Sequence, residues 1–378
     1  MHNFCAYVPK SLMEDISMRK IISLASIIAC FSGPIWAYAD TLDNLDTVAE
    51  SYQMLWNGVA IQNNEVYVSG PLWSGSKGPS VAKIGENGEL KPYPSKAWNS
   101  TNSEVPLSKR FVNVNAIHKD DRGQLWIVDT GVSTFGGSVI KDAAKLVVVN
   151  LQSDKVSDVI LFSPSVLKTN SYVDDIRFNG DYAYLTDAGA PGLIVLNLKT
   201  KKMWRVLDNS PSTVALKNRD IFLDGKVVEV MKGQPLRVNS DPLALSPDKK
   251  WLYFAPLQGP WSKVETRYLN DFGMKDDIQS KVHSWFNLPP VGGVAMGKDG
   301  IMYFTDLAAN ALRTISPEGQ ITTLVVDPRL HWADAPVIDK GSVYLPAFQV
   351  DRIATFNEGV SRVEFPIGLY KFDLRQPK

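Results

Sequence analysis

The chain of 378 residues has little of what carries most recognisable chemistry: two cysteines, four histidines, and no excess of either charge, with 40 Lys and Arg against 40 Asp and Glu. Two cysteines cannot build a disulfide framework or a thiolate cluster. Both of them, Cys5 and Cys30, fall in the first 39 residues, so the chain from Asp40 onward has none. Balanced charge argues against nucleic acid as a partner, because such proteins cluster Lys and Arg to displace counterions. The apolar run Ile21 to Phe31 is too short for a bilayer, which needs about 20 residues. The sequence also lacks a Gly-x-Ser-x-Gly elbow, a His-Glu-x-x-His pair, a phosphate loop and an EF-hand loop, which removes the commonest hydrolase, metalloprotease, nucleotide and calcium-loop classes.

What is present begins with an address. Met18-Arg19-Lys20, the apolar run to Phe31, and Ala37-Tyr38-Ala39 before Asp40 have the order of a signal peptide: a basic start, a short apolar core and a small-x-small cleavage site. This pattern predicts a start at Met18, cleavage between Ala39 and Asp40, and a secreted or periplasmic protein of residues 40–378 as one domain. Ile27-Ile28-Ala29-Cys30 offers the alternative of a lipoprotein anchored at Cys30.

The main signal is a repeat. An apolar–aromatic–apolar triad recurs six times, centred on Tyr67, Trp126, Tyr184, Tyr253, Tyr303 and Tyr344. Each triad follows an Asn-, Asp- or Gly-rich turn, and each turn follows another apolar strand, which is a hairpin signature. Two more strands fit in each interval, for example Lys145–Asn150 with residues 156–162, or 192–198 with 203–207. Repeated units of this kind predict an all-β, six-bladed β-propeller of four-stranded antiparallel blades. Its ring would be closed by pairing residues 46–52 with late strands at 353–356 and 369–374. The triad aromatics read as packing between blades.

In such a ring the starts of the innermost strands surround one mouth of a central channel, the default place for a pocket. Those starts are Trp56-Asn57-Gly58, Asn113-Val114-Asn115, Val173-Asp174-Asp175, Asn239-Ser240-Asp241-Pro242, Val291-Gly292-Gly293 and Trp332-Ala333-Asp334. Five of the six carry Asn or Asp. Asn57, Asn115, Asp175, Asp241 and Asp334 are therefore the candidate ligand-binding polar groups, with Trp56 and Trp332 placed to cover a ring by stacking or cation–π contact. Asp175, Asp241 and Asp334 are the candidate proton-transfer groups, since crowded carboxylates raise one another's pKa. Asn57, Asp175, Asp241 and Asp334 also form a hard-ligand set for Ca²⁺ or another divalent cation. Asp129, Asp187 and Asp306, at the ends of aromatic strands, and His331, beside Trp332, are weaker candidates.

Residues 112–131 (VNVNAIHKDDRGQLWIVDTG), 174–207 (with GLIVL and WRVL) and 241–269 resemble the major royal jelly and yellow protein family. The resemblance implies a secreted six-bladed propeller with a central pocket. Activities described in that family range from dopachrome conversion to binding of biogenic amines to storage. The cysteines of insect members are absent, and Arg122 stands where they carry Cys near the LW motif. More distantly, the chain is similar to regucalcin-like gluconolactonases, which hold a divalent cation at inner-strand starts. Here the matching places read Asn57-Gly58-Val59, Asp241-Pro242 and Asp334-Ala335, without the acidic first ligand. Three expectations follow: a protein that binds, or binds and tautomerises, a small polar or aromatic amine- or catechol-like ligand; a metal-dependent lactonase; or a non-enzymatic scaffold.

Overall fold

The computed structural model describes residues 45–375; the leader, its cleavage site at Ala39 and Asp40, and Cys30 lie outside them. Six four-stranded antiparallel sheets follow one another along the chain. Blade 1 comprises Gly58–Gln62, Glu65–Ser69, Val81–Ile84 and Leu90–Pro92, and blade 2 Val114–Lys119, Gln124–Asp129, Lys145–Asn150 and Lys155–Leu161. Blade 3 comprises Val173–Asn179, Tyr182–Asp187, Gly192–Asn197 and Met203–Val206. Blade 4 comprises Ser240–Leu245, Trp251–Pro256, Trp261–Glu265 and His283–Phe286, and blade 5 Val291–Met296, Met302–Asp306, Ala311–Ile315 and Ile321–Val326. The inner strands of consecutive blades touch all the way round, so the ring is closed and a channel runs along its axis.

Closure uses both ends of the described chain. Blade 6 is built from Val337–Asp339, Ser342–Pro346 and Ile367–Asp373, and its outermost strand is the N-terminal Leu45–Ser51, paired antiparallel with Ile367–Asp373. The expected strand at 353–356 is instead a 3₁₀ turn, Ala354–Phe356, in the connection before that last strand. Deleting residues 45–51 would uncover one edge of Ile367–Asp373 and invite pairing with another chain. The expected result is a melting temperature lower by on the order of 10 °C, with concentration-dependent association in analytical ultracentrifugation.

The apolar core is divided among the blade interfaces. One cluster joins blades 1 and 2 through Tyr67, Ile117 and Val147, another joins blades 2 and 3 through Val128, Leu146 and Leu185, and the same pattern continues around the ring. Of the six triad aromatics, Tyr67, Trp126 and Tyr184 are buried, while Tyr253, Tyr303 and Tyr344 are half-buried. Burying such side chains contributes about 1.5–3 kcal/mol each, so the repeat that announces the fold also holds neighbouring blades together.

Candidate functional site

The inner strands do not begin as regular ladders. Blades 2, 3, 4 and 5 each break register at the same place: between Val114 and Ala116, Val173 and Ile176, Ser240 and Leu243, and Val291 and Val294. A bulge puts an extra residue into one strand and re-aims the side chains beside it. Here the bulged residues are Asn115, Asp174-Asp175, Asp241-Pro242 and Gly292-Gly293, all at one mouth of the channel. That mouth holds a cavity of about 270 Å³, on which Asn57, Asn115, Asp174, Asp241, Asp334 and Trp332 all border.

Two sequence candidates lie elsewhere. Asp174, not Asp175, enters the cavity: the bulge turns Asp175 along the channel, where its Oδ2 accepts from Arg177 Nη1 at 2.6 Å. Trp56 is fully buried in the blade 6–blade 1 core, with Nε1 donating to the Gly368 carbonyl at 2.9 Å, and does not line the cavity. Asp129, Asp187 and Asp306 do not reach it either. Asp129 accepts from the backbone of Val112, Asn113 and Gly131 and from Lys145. Asp187 and Asp306 pair with Arg205 and Arg313. His331 is buried, with Nε2 2.9 Å from both oxygens of Asp351.

The polar floor is a connected network. Trp73 Nε1 donates to Tyr172 Oη at 2.9 Å, Tyr172 Oη donates to Asn115 Oδ1 at 2.8 Å, and Asn115 Nδ2 donates to Asp174 Oδ1 at 2.5 Å. Asn57 Nδ2 donates to the Asn115 carbonyl at 2.6 Å, while its Oδ1 is buried without a partner. An orphaned buried acceptor is worth about 1–3 kcal/mol to any donor that reaches it. Among the described residues Asp334 Oδ1 accepts only from the Ala335 N–H, at 2.9 Å, and the Asp241 carboxyl has no hydrogen-bond partner.

Three half-buried carboxyls therefore share one cavity. Burial and then the charges of Asp175 and Asp187 push Asp174 up to about 8, against the hydrogen bond from Asn115. Burial, followed by Asp174, Asp334 and Asp175, holds Asp241 well above the usual carboxylate range. Asp334 is raised in the same way, by burial and then Asp174. The one cationic residue on the cavity wall, Arg237, is bound by Asp220 and by the carbonyls of Leu236 and Lys217. No cation among the described residues balances the acids, so a bound cation would ionise them, and a neutral acid beside an ionised one can pass a proton. Among the described residues no three His, Cys, Asp or Glu side chains form a group that could hold a metal ion. The expected hard-ligand set is also dispersed, because Asp175 is turned to Arg177.

The fifth blade has glycine for a spatial reason. A Cβ on Gly292 would lie 2.2 Å from the Ala333 carbonyl oxygen of the blade 5–blade 6 connection. No side chain fits between the two backbones.

Sequence reasoning missed the aromatic wall. Trp73 and Phe135 come from separate connections and Phe348 and Phe356 from a third; the ring centroid of Trp73 lies 6.4 Å from that of Phe348 and 5.1 Å from that of Phe135, and Phe135 lies 5.0 Å from Phe356. Val230, on the second of two short hairpins inserted between blades 3 and 4, and Leu236 and Val238, just after that hairpin, add apolar surface. Tyr172, also missed, precedes the blade 3 strand, and its phenol is held in the un-ionised form chiefly by burial.

Fold and site together define a closed six-bladed propeller with an acid-floored, aromatic-walled pocket at one end of its channel. Residues 112–330, more than half of the chain, match the family model described as major royal jelly protein, and the chain belongs to that family. It is 26% identical over 276 residues to protein yellow of Drosophila erecta, covering 68% of this chain and 50% of that one. The chain thus spans half the length of that relative. Among solved structures it is similar to a gluconolactonase from Xanthomonas campestris (TM-score 0.51, 13% identity, 87% of this chain and 89% of that one). It is also similar to virginiamycin B lyase from Staphylococcus aureus (TM-score 0.50, 10% identity, 87% and 99%). At those identities the two structures share the fold only. Among the described residues no helix is long and apolar enough to cross a membrane.

Proposed function

We propose that this propeller is exported and binds a small aromatic ammonium compound, of the amine or catechol type, at the bulged mouth of its channel, and that the acids there shift a proton on a bound tautomerisable ligand. The observation that carries this reading is the set of three half-buried carboxyls, Asp174, Asp241 and Asp334, on one cavity wall with no free cation beside them among the described residues. An ammonium group supplies the missing charge, and its N–H donors suit the orphaned Asn57 Oδ1. Trp73, Phe135, Phe348 and Trp332 offer faces to an aromatic ring, where cation–π attraction adds about 0.5–2 kcal/mol. Export is supported by the leader pattern of residues 18–39.

The pH dependence has a definite sign. A cation binds the ionised carboxyls, and these gain their charge as pH rises toward the raised pKa values. Affinity should grow from pH 5 to pH 8, by up to about tenfold per pH unit for each proton displaced. Calorimetry with dopamine and serotonin, with dopachrome decay followed by absorbance, is expected to show a single saturable site whose affinity rises over this range. Absence of both heat and turnover at millimolar ligand would contradict the reading.

A further inference from the structure

The channel has a second mouth, where the inner strands end, and the side chains there are of the opposite character. Arg177 separates the two ends. Its Nη1 is bound to Asp175 and to the Ile176 carbonyl, and its Nη2 reaches from blade 3 to the Val294 carbonyl of blade 5 at 3.2 Å. These bonds leave the Nε–H and one Nη2 hydrogen without a protein partner. The cavity beyond it, about 560 Å³, is twice the size of the acidic one and is bordered by Arg177, His118, Lys119, Phe178 and Lys298.

Charge at this mouth is mostly paired, and the remainder is positive. Lys249 is tied to Asp121 at 2.5 Å, and Asp120 accepts from Arg122 and Trp126. Among the described residues Lys119 has only the Gln62 amide as partner, at 3.1 Å, and Lys298 has none. Asp339 is the one acid on the wall without a cation among the described residues. His118 makes no hydrogen bond among the described residues and is kept neutral, first by burial and then by the charges of Arg177 and Lys119. Its ring lies 5.9 Å from that of Phe178 at 31°, and Phe178 in turn lies 5.0 Å from Trp126. The floor thus combines guanidinium donors with a flat apolar face.

We propose that this second mouth is a separate binding site for a small aromatic carboxylate, its carboxylate held by Arg177, Lys119 and Lys298 and its ring laid against Phe178 and His118. The guanidinium offers directed donors to a carboxylate, which an ammonium cannot provide as compactly. The two ends of the channel would then take ligands of opposite charge, with the Arg177–Asp175 pair between them.

Side-chain ¹⁵N–¹H NMR of the few histidines tests this directly, with benzoate as the probe and the His118→Gln variant assigning the signal. The expected result is a saturable shift of His118 with benzoate, at millimolar affinity or better, while His283 and His331 stay in place. Lys298→Glu, on the exposed rim, should weaken binding about tenfold, equivalent to about 1.4 kcal/mol, and Asp241→Asn at the other mouth should leave it unchanged. A His118 signal unmoved by benzoate, an equal response to benzylamine, or no weakening in Lys298→Glu would overturn the proposal. Failure of amine binding at the acidic mouth would be a separate result, because it is read with different ligands and different variants.

Discussion

Asp241→Asn is expected to raise the melting temperature at pH 8 by about 5 °C or more and to leave it unchanged near pH 4. Asp241 is half-buried, has no hydrogen-bond partner among the described residues, and shares one cavity with Asp174 and Asp334, so its native pKa lies well above its unfolded value. Between those two values the native state holds a proton that the unfolded chain has released. Stability therefore falls as pH rises through that window, by about 1.4 kcal/mol per pH unit for each such group. Asparagine keeps the shape and removes the titration. The same substitution should weaken dopamine binding by at least about tenfold, since an ion pair in a desolvated pocket is worth more than the ~1 kcal/mol of an exposed one. A gain in stability together with a loss of binding is the mark of a site kept strained for a ligand. Thermal melts from pH 4 to 9 with parallel calorimetry would show it, and a melting curve lowered at every pH would contradict it.

The second large effect has the opposite sign. Lys145→Ala is expected to destabilise the protein by about 3–5 kcal/mol, because it leaves the Asp129 charge buried without a counter-ion. Both side chains are fully buried, and Lys145 Nζ lies 2.5 Å from Asp129 Oδ2. The ring supplies its own controls, since the aspartate at the end of the aromatic strand is paired in blades 3 and 5 as well. Arg205 beside Asp187 is 6% exposed and Arg313 beside Asp306 is 30% exposed. Alanine at 145, 205 and 313 should therefore cost progressively less, with the Arg313–Asp306 pair, whose arginine is the most exposed of the three cations, closest to the ~1 kcal/mol typical of a surface pair. Urea denaturation of the three variants would test the order, and Asp129→Asn combined with Lys145→Met should recover most of the first loss.

The fold was legible in the sequence because its determinants repeat. Each blade must bury one aromatic strand between neighbours, so the triads around Tyr67, Trp126 and Tyr184 recur at blade spacing, and the turns before them are set by Asn, Asp and Gly. The closing strand was legible in part: Leu45–Ser51 pairs with Ile367–Asp373, which overlaps the expected 369–374 segment, and not with 353–356.

The site was legible only in outline. Counting along a regular strand cannot say which of two adjacent aspartates enters the channel. A bulge, invisible in a pattern of period two, turned Asp174 in and Asp175 toward Arg177. Trp56 carried the right chemistry at the right repeat position, but its indole fits the core under Gly368. Trp332, at its repeat position, does line the cavity, but Trp73, Phe135, Phe348 and Phe356 belong to irregular connections with no period to betray them. The segment 353–356, apolar enough to resemble a strand, lies in the connection between Ser342–Pro346 and Ile367–Asp373 and coils into a 3₁₀ turn that brings Phe356 against Phe135.

The central claim is that the bulged mouth is an acid pocket awaiting a cation, and proton linkage tests it most directly. Dopamine and its uncharged analogue 4-ethylcatechol would be titrated by calorimetry at pH 7, each in phosphate and in Tris, two buffers that differ in heat of protonation. If the ammonium ionises the buried acids, dopamine binds at least about tenfold more tightly than 4-ethylcatechol. It also releases close to one proton, so its apparent enthalpy differs between the buffers while that of the analogue does not. Equal affinities, with enthalpies independent of buffer for both ligands, would contradict the account.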